Sequence, residues 1–232
     1  MYSTELFSPM SARLTIYFTC FLLIVQELHA VPRDVLRTSC KLTDTDILGP
    51  FYKPNSPIQA TGASVSPLPF ICPNSPKNDR LILNGTVRVT TDDAPCGKPV
   101  RALLDIWHAD PEGEYSNSAT TSNDFTCRSR LLTGADGFFT FSSLLPGRYD
   151  DGGLRPAHVH FTITPLDESN TPAGKSLTTQ LYFAHDHFLK PVDSCGICGS
   201  GNPSQITHVT NEDDFKTFIG SWDVLLDHKA KV

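Results

Sequence analysis

No run of consecutive lysines or arginines occurs anywhere in this chain, and the formal net charge is −6 at pH 7 over 232 residues. That balance excludes the electrostatic footprint of a nucleic-acid binder or of a protein drawn to an anionic membrane. What remains is a small partner, neutral or weakly charged. Long apolar stretches are also missing: the most apolar one, Leu14 to Val25, is twelve residues, against the ~20 needed to span a bilayer. Methionine is scarce, 2 residues against 18 prolines, so stiff turns are expected around one well-buried domain. The one CxxC, Cys195-Gly-Ile-Cys198, has neither a second CxxC nor an HxxxH to complete a zinc site.

Arg13 followed by the short apolar run and then by "QELHA", ending in the small Ala30, reads as a secretory signal over residues 1–30 rather than an anchor. Met10 is a tidier start for it than Met1, and Leu28 is not the small residue preferred before a cut, so the cleavage point stays open. Six cysteines follow: Cys40, Cys72, Cys96, Cys127, Cys195 and Cys198. An even set in a secreted chain predicts a disulfide framework, with fifteen pairings open and zinc at Cys195/Cys198 as the rival. Asn84-Gly85-Thr86 is the single proline-free N-x-S/T sequon, hence a glycosylation candidate.

Beyond the signal, residues 31–78 are proline-rich and read as an extended arm. Residues 79–232 have mostly two-residue periodicity. "LILNGTVRVT", "VRALLDIWHA", "FFTFSSL", "AHVHFTIT" and "LTTQLYFA" are β-branched or aromatic runs, separated by turn compositions such as "DDAPCGKP", "ADG" and "LPGRYDDGG". The pattern predicts an all-β chain, an antiparallel β-sandwich carrying the arm and long loops, as a single globular domain. Near the C-terminus Phe215, Phe218, Ile219 and Trp222 keep helical spacing, whereas Trp222, Val224 and Leu226 alternate; a closing strand is the reading favoured.

Within "GGLRPAHVHFTITP", His158 and His160 are two residues apart on a strand pattern, so they share a face while Val159 and Phe161 turn to the core. Two imidazoles placed this way can hold one metal ion, or form a polar surface pair. A cupin would offer a carboxylate a few residues on, but Phe161 to Pro165 hold none. Tyr115 in "PEGEYSN" and Tyr149 in "LPGRYDDGG" stand beside loop glycines, where a tyrosine can cap a core edge or reach into a site.

In order along the chain, "GPFY" (Gly49 to Tyr52), "DIWHADPEGEYS", "DGFFTFSSLLPGRY", "LRPAHVHF" and "LTTQLYFAHD" resemble the motifs of the intradiol ring-cleavage dioxygenases, the catechol 1,2-dioxygenase and protocatechuate 3,4-dioxygenase group. The resemblance spans about Gly49 to Asp186. It implies a non-haem Fe(III) held by Tyr115, Tyr149, His158 and His160, with O2 as co-substrate and a small catecholic molecule as substrate. Catechols would be cleaved between the two hydroxyl-bearing carbons to cis,cis-muconate-type products. A free phenol ionises near pH ~10, but a trivalent cation deprotonates it outright, and hard Fe(III) suits such oxygen donors. The resemblance also implies that Tyr149 leaves the metal to take a catechol proton, that Arg155 supplies a fixed positive charge beside the ring, and that Gln180 orients oxygen.

The sequence departs from the family in having only coil between Ala30 and its first strand run, which predicts a monomer, and in a short link from Tyr149 to His158. Leu154 is the one apolar lining candidate in that link, which implies an open pocket, and His108, beside Trp107, is a second lining candidate. His185 and His187 read as surface loop residues. Secretion points to polyphenol-derived catechols outside the cell, with no nucleic-acid partner and no membrane once the signal is removed. Two other readings stay open: a non-catalytic secreted binder of catecholic phenols, and a cupin-like or zinc site.

Overall fold

The computed structural model describes residues 40–72, 79–116, 123–150, 152–212 and 216–229; the signal segment expected at 1–30 and Phe215 lie outside them. The described residues form twelve strands: β1 (Ile58–Ala60), β2 (Arg80–Thr91), β3 (Ala94–Pro99), β4 (Ala102–His108), β5 (Arg128–Leu132), β6 (Phe138–Leu144), β7 (His158–Pro165), β8 (Leu177–Phe183), β9 (Ile206–Thr207), β10 (Val209–Glu212), β11 (Thr217–Ser221) and β12 (Val224–Leu226). One sheet runs β1-β5-β4-β7-β8-β9. In the other, β2 is central: β6 and β11 flank its first half, β3 and β12 its second.

Alternation along the strands builds the core between these sheets. Leu81, Leu83 and Val87 of β2 and Phe139 and Phe141 of β6 join Leu104, Ile106, Val159, Phe161, Ile163 and Leu181 in one buried cluster. The sandwich is antiparallel at its centre, β4 with β5 and β7, β7 with β8, β2 with β6. Four pairings at its margins are parallel: β1/β5, β8/β9, β2/β11 and β2/β12. Each of these pairings joins strands that no hairpin connects, which is why the runs of turn residues do not announce them. The closing segment is strand, as β11 and β12, not helix. Part of "DDAPCGKP" is β3, an edge strand bonded only to β2, where proline is tolerated. The short β5 escapes notice because Arg128 and Arg130 interrupt its apolar pattern.

The opposite face of β4, β7 and β8 is polar yet buried, because residues 40–60 lie across it. Asp46 N donates to Thr178 O at 2.9 Å, and β1 adds in parallel to β5. Three disulfides close the framework: Cys40–Cys96, Cys72–Cys127 and Cys195–Cys198. The CxxC is thus bonded to itself and offers no thiolate to zinc. Such bonds suit an oxidising environment. Asn84 sits mid-strand in β2, half-buried, opposite Thr140 and Ser221. Among the described residues no helix is long and apolar enough to cross a membrane.

Cys72 and Cys127, separated by 55 residues, tie the segment before β2 to the start of β5. Replacing both by alanine is expected to lower the free energy of unfolding by about 4 kcal/mol, the chain entropy such a loop returns to the unfolded state. Denaturant titrations of both forms, each extrapolated to water with its own slope, check it.

Candidate metal centre

Register on the outer face of the first sheet sets the site. Trp107, His160 and Gln180 lie abreast across β4, β7 and β8, and Tyr182 is opposite His158. The two histidine Nε2 atoms converge to 3.1 Å. His158 Nδ1 lies 2.7 Å from Pro156 O, so it carries the proton and leaves a lone pair on Nε2. Only a shared proton or a cation makes that approach favourable. Trp107 stacks on the His160 ring, 4.9 Å between centroids, and fixes its plane.

The two tyrosines reach the histidines from the loops after β4 and β6. These loops are zipped together: Gly147 N donates to Asp110 O at 2.9 Å. Gly113 has φ +91°, and a side chain there would collide with the Arg148 carbonyl, as one at Gly147 would with that of Pro111. Each glycine stands two residues before a tyrosine, so the close approach aims both phenols. Tyr115 meets Tyr149 edge-on at 5.4 Å and His160 at 6.2 Å; Tyr149 lies 5.5 Å from His158. The structure therefore brings Tyr115, Tyr149, His158 and His160 into one ring cluster.

Two polar atoms of the cluster are unpaired within the described residues. Tyr115 Oη and His160 Nδ1 are buried without a hydrogen-bond partner. Burial, then the neighbouring Tyr149, pushes the Tyr115 phenol well above its ordinary range. Burial, then Arg155, drives His158 down to about 3, and burial followed by His158 depresses His160 further below its ordinary value. Two neutral imidazoles and two phenol oxygens around orphaned polar atoms form a donor set that fits a hard trivalent ion. The Pro156 carbonyl orients the His158 imidazole, as the outer partner of a metal-binding histidine does.

Arg155 lies beneath the cluster. Its Nη1 donates to Tyr149 Oη at 3.1 Å, its Nη2 to Gln180 Oε1 and Tyr182 Oη at 3.2 Å each, and its Nε to Asp193 Oδ1 at 3.0 Å. Gln180 joins the same network. Its Oε1 accepts from Arg155, and its Nε2 donates to Asp46 Oδ1 and Ile47 O. Its amide thus helps to hold Arg155.

Several partners stand outside the site residues expected from the sequence. Phe51 stacks on Tyr115 at 4.5 Å and meets Tyr149 edge-on. Arg128 donates through Nη1 to Phe51 O and through Nε and Nη2 to Ser116, clamping both sides of Tyr115. Leu154 is 43% exposed, next to Arg155 in the chain. His108 turns away from the rings, as its place beside Trp107 on a strand requires, and bonds Ser143 Oγ and Ala109 O. It is corrected from pocket lining to interior. Its Nε2 is 3.7 Å from Cys72 Sγ, but Cys72 is bonded to Cys127, so this trio has no thiolate for a metal. His185 and His187 are exposed.

These buried histidines predict acid sensitivity. His108, held at about 4 by burial, and His158, at about 3, stay neutral in the fold while the unfolded chain protonates near 6.5. The unfolded state then binds more protons, so stability rises with pH between about 4 and 6.5 and falls as pH drops through that window. Equilibrium unfolding of the metal-free protein at pH 7 and pH 5 should show the lower stability at pH 5.

Comparison with known proteins agrees with this geometry. A family model described as dioxygenase matches residues 47–228. Chlorocatechol 1,2-dioxygenase of Rhodococcus opacus is 31% identical over 171 residues, 66% of this chain and 60% of the relative. The protocatechuate 3,4-dioxygenase beta chain of Burkholderia cepacia is 32% identical over 124 residues, 49% of this chain and 48% of the relative. Among solved structures, the dioxygenase domain of a dioxygenase carbohydrate-binding fusion from Streptomyces sp. SirexAA-E superposes with a TM-score of 0.60 at 28% identity, covering 81% of this chain and 99% of that domain. The 3-chlorocatechol 1,2-dioxygenase of Rhodococcus opacus 1CP gives 0.61 at 26% identity, covering 80% and 72%. The chain thus spans less than two thirds of the length of the full-length Rhodococcus relative.

Proposed function

This chain belongs to the intradiol ring-cleavage dioxygenases, and from that premise we propose that it is a secreted non-haem Fe(III) enzyme cleaving catechols between their hydroxyl-bearing carbons with O2. The products are of the cis,cis-muconate type, and the substrates are catechols derived from polyphenols. The observation that carries the reading is the convergence of two phenols and two neutral imidazoles around orphaned polar atoms.

Tyr115, Tyr149, His158 and His160 hold the iron. Bound there, Fe(III) supplies Lewis acidity and couples the electrons of a chelated catechol to O2. The residues do the rest. Two phenolates offset most of the ionic charge, and neutral imidazoles add none. Tyr149 Oη would take a catechol proton, and Arg155 Nη1, 3.1 Å from that oxygen, keeps it placed. The same guanidinium puts a fixed positive charge where negative charge develops on the ring. Gln180 and Tyr182 secure the other edge of Arg155. Phe51, stacked on Tyr115, closes one side of the cluster to water. The three disulfides support secretion.

Oxygen uptake with catechol tests the activity: one O2 consumed per catechol, with muconate as product, is the expected result. Catechol binding without uptake would make the protein a phenol binder instead.

A further inference from the structure

Arg155 is the most constrained side chain at the site, and the source of that constraint is a loop that no motif of the site includes. We propose that Asp193 is the positioning residue for Arg155, and that the Cys195–Cys198 bond holds Asp193 in place; this rests on the function proposed above.

The guanidinium is a rigid planar fork, so fixing one edge fixes the other. Asp193 takes the Nε edge, Nε to Oδ1 at 3.0 Å with Nη2 3.5 Å from Oδ2, and the side chains are 3% and 0% exposed. That grip leaves Nη1 on Tyr149 Oη and Nη2 on Gln180 and Tyr182. A guanidinium without its carboxylate keeps these donors but loses its only charged partner, the charge-assisted pair that fixes its Nε edge.

Asp193 belongs to the loop between β8 and β9, which is tied at several points. Cys195 N donates to Asp193 Oδ1 at 2.9 Å, and Lys190 Nζ donates to Cys195 O. Ser194 Oγ donates to Gly153 O at 2.9 Å, and Ser194 N reaches Leu154 O at 3.5 Å, so the loop is stitched to the segment just before Arg155. Past the disulfide, Gly199 N donates at 2.9 Å to Asp46 Oδ2, which also accepts from Tyr182 Oη. One face of the loop therefore holds Arg155 directly, and the other holds the carboxylate behind its partners. The four-residue ring closed by Cys195 and Cys198 sits between these two attachments.

The test compares iron-loaded Asp193→Asn, Cys195→Ser/Cys198→Ser and their combination with the wild type. Iron per chain and the resting visible band should be unchanged, since no ligand is touched. In Asp193→Asn, kcat per bound iron should fall about 10–100-fold, the usual cost of an outer partner, with KM moving less. The cysteine pair variant, which keeps the buried charge pair and so guards against misfolding, should fall less, and the combination should fall no further than Asp193→Asn alone. Unchanged kcat per iron in Asp193→Asn overturns the proposal, as does loss of iron or thermal stability with turnover per iron intact. Full additivity of the two changes overturns the part played by the disulfide. A wild-type protein that binds iron without colour fails at an earlier step and brings down the ligand assignment itself.

Discussion

Replacing His160 with alanine should leave the purified, iron-replete protein without stoichiometric iron and without turnover. His160 sits at the centre of the ring cluster: its Nε2 faces that of His158 at 3.1 Å, its ring is stacked by Trp107, and Tyr115 approaches from the open side. Removing it takes away one of four donors and opens a gap beside the others. The loss of affinity should exceed the 10–100-fold typical of an outer partner. Metal analysis after dialysis, read beside visible absorbance, checks this. His108→Gln is the control. His108 is equally buried but faces Ser143 rather than the rings, so that variant should lose stability and keep its iron and colour.

Tyr149→Phe should separate binding from chemistry. Three donors remain, so iron stays, but the phenol that receives a catechol proton is gone. Positioned proton transfer contributes on the order of 10²–10⁴-fold, and kcat per bound iron should fall by that much. Arg155 Nη1 loses its acceptor at the same time, a buried donor left unsatisfied at a cost of about 1–3 kcal/mol. A lower melting temperature should therefore accompany the kinetic loss. Tyr115→Phe removes an oxygen with no other partner, so its loss should fall on iron affinity and colour. Equal kcat per iron in Tyr149→Phe and wild type would remove Tyr149 from the proton step.

The parts of this architecture that depend on neighbours in sequence could be read there. Alternation exposes β6 and β7 almost to the residue, and it sets His158 and His160 on one face with Val159 and Phe161 on the other. The two tyrosine loops stand out because glycine precedes each tyrosine by two residues, and the close packing of Gly113 and Gly147 explains why. What depends on distant parts of the chain was hidden. The marginal parallel strands, Phe51 against Tyr115 and the Arg128 clamp on residues 51 and 116 join segments tens of residues apart. Asp193 is hidden for the same reason: a lone aspartate before a CxxC carries no sign of the arginine 38 positions upstream that it holds. His108 misleads because adjacency to Trp107 in sequence means opposition on a strand.

The central claim is that Tyr115, Tyr149, His158 and His160 hold ferric iron and present it to catechols. A visible absorption spectrum of the iron-replete protein, taken without oxygen, then with catechol, then after air is admitted, tests it most directly. The account predicts a broad phenolate-to-iron band that shifts when catechol binds and decays in air as muconate absorbance rises. Stoichiometric iron in a colourless protein would contradict it, because iron bound without phenolate colour is not bound by Tyr115 and Tyr149.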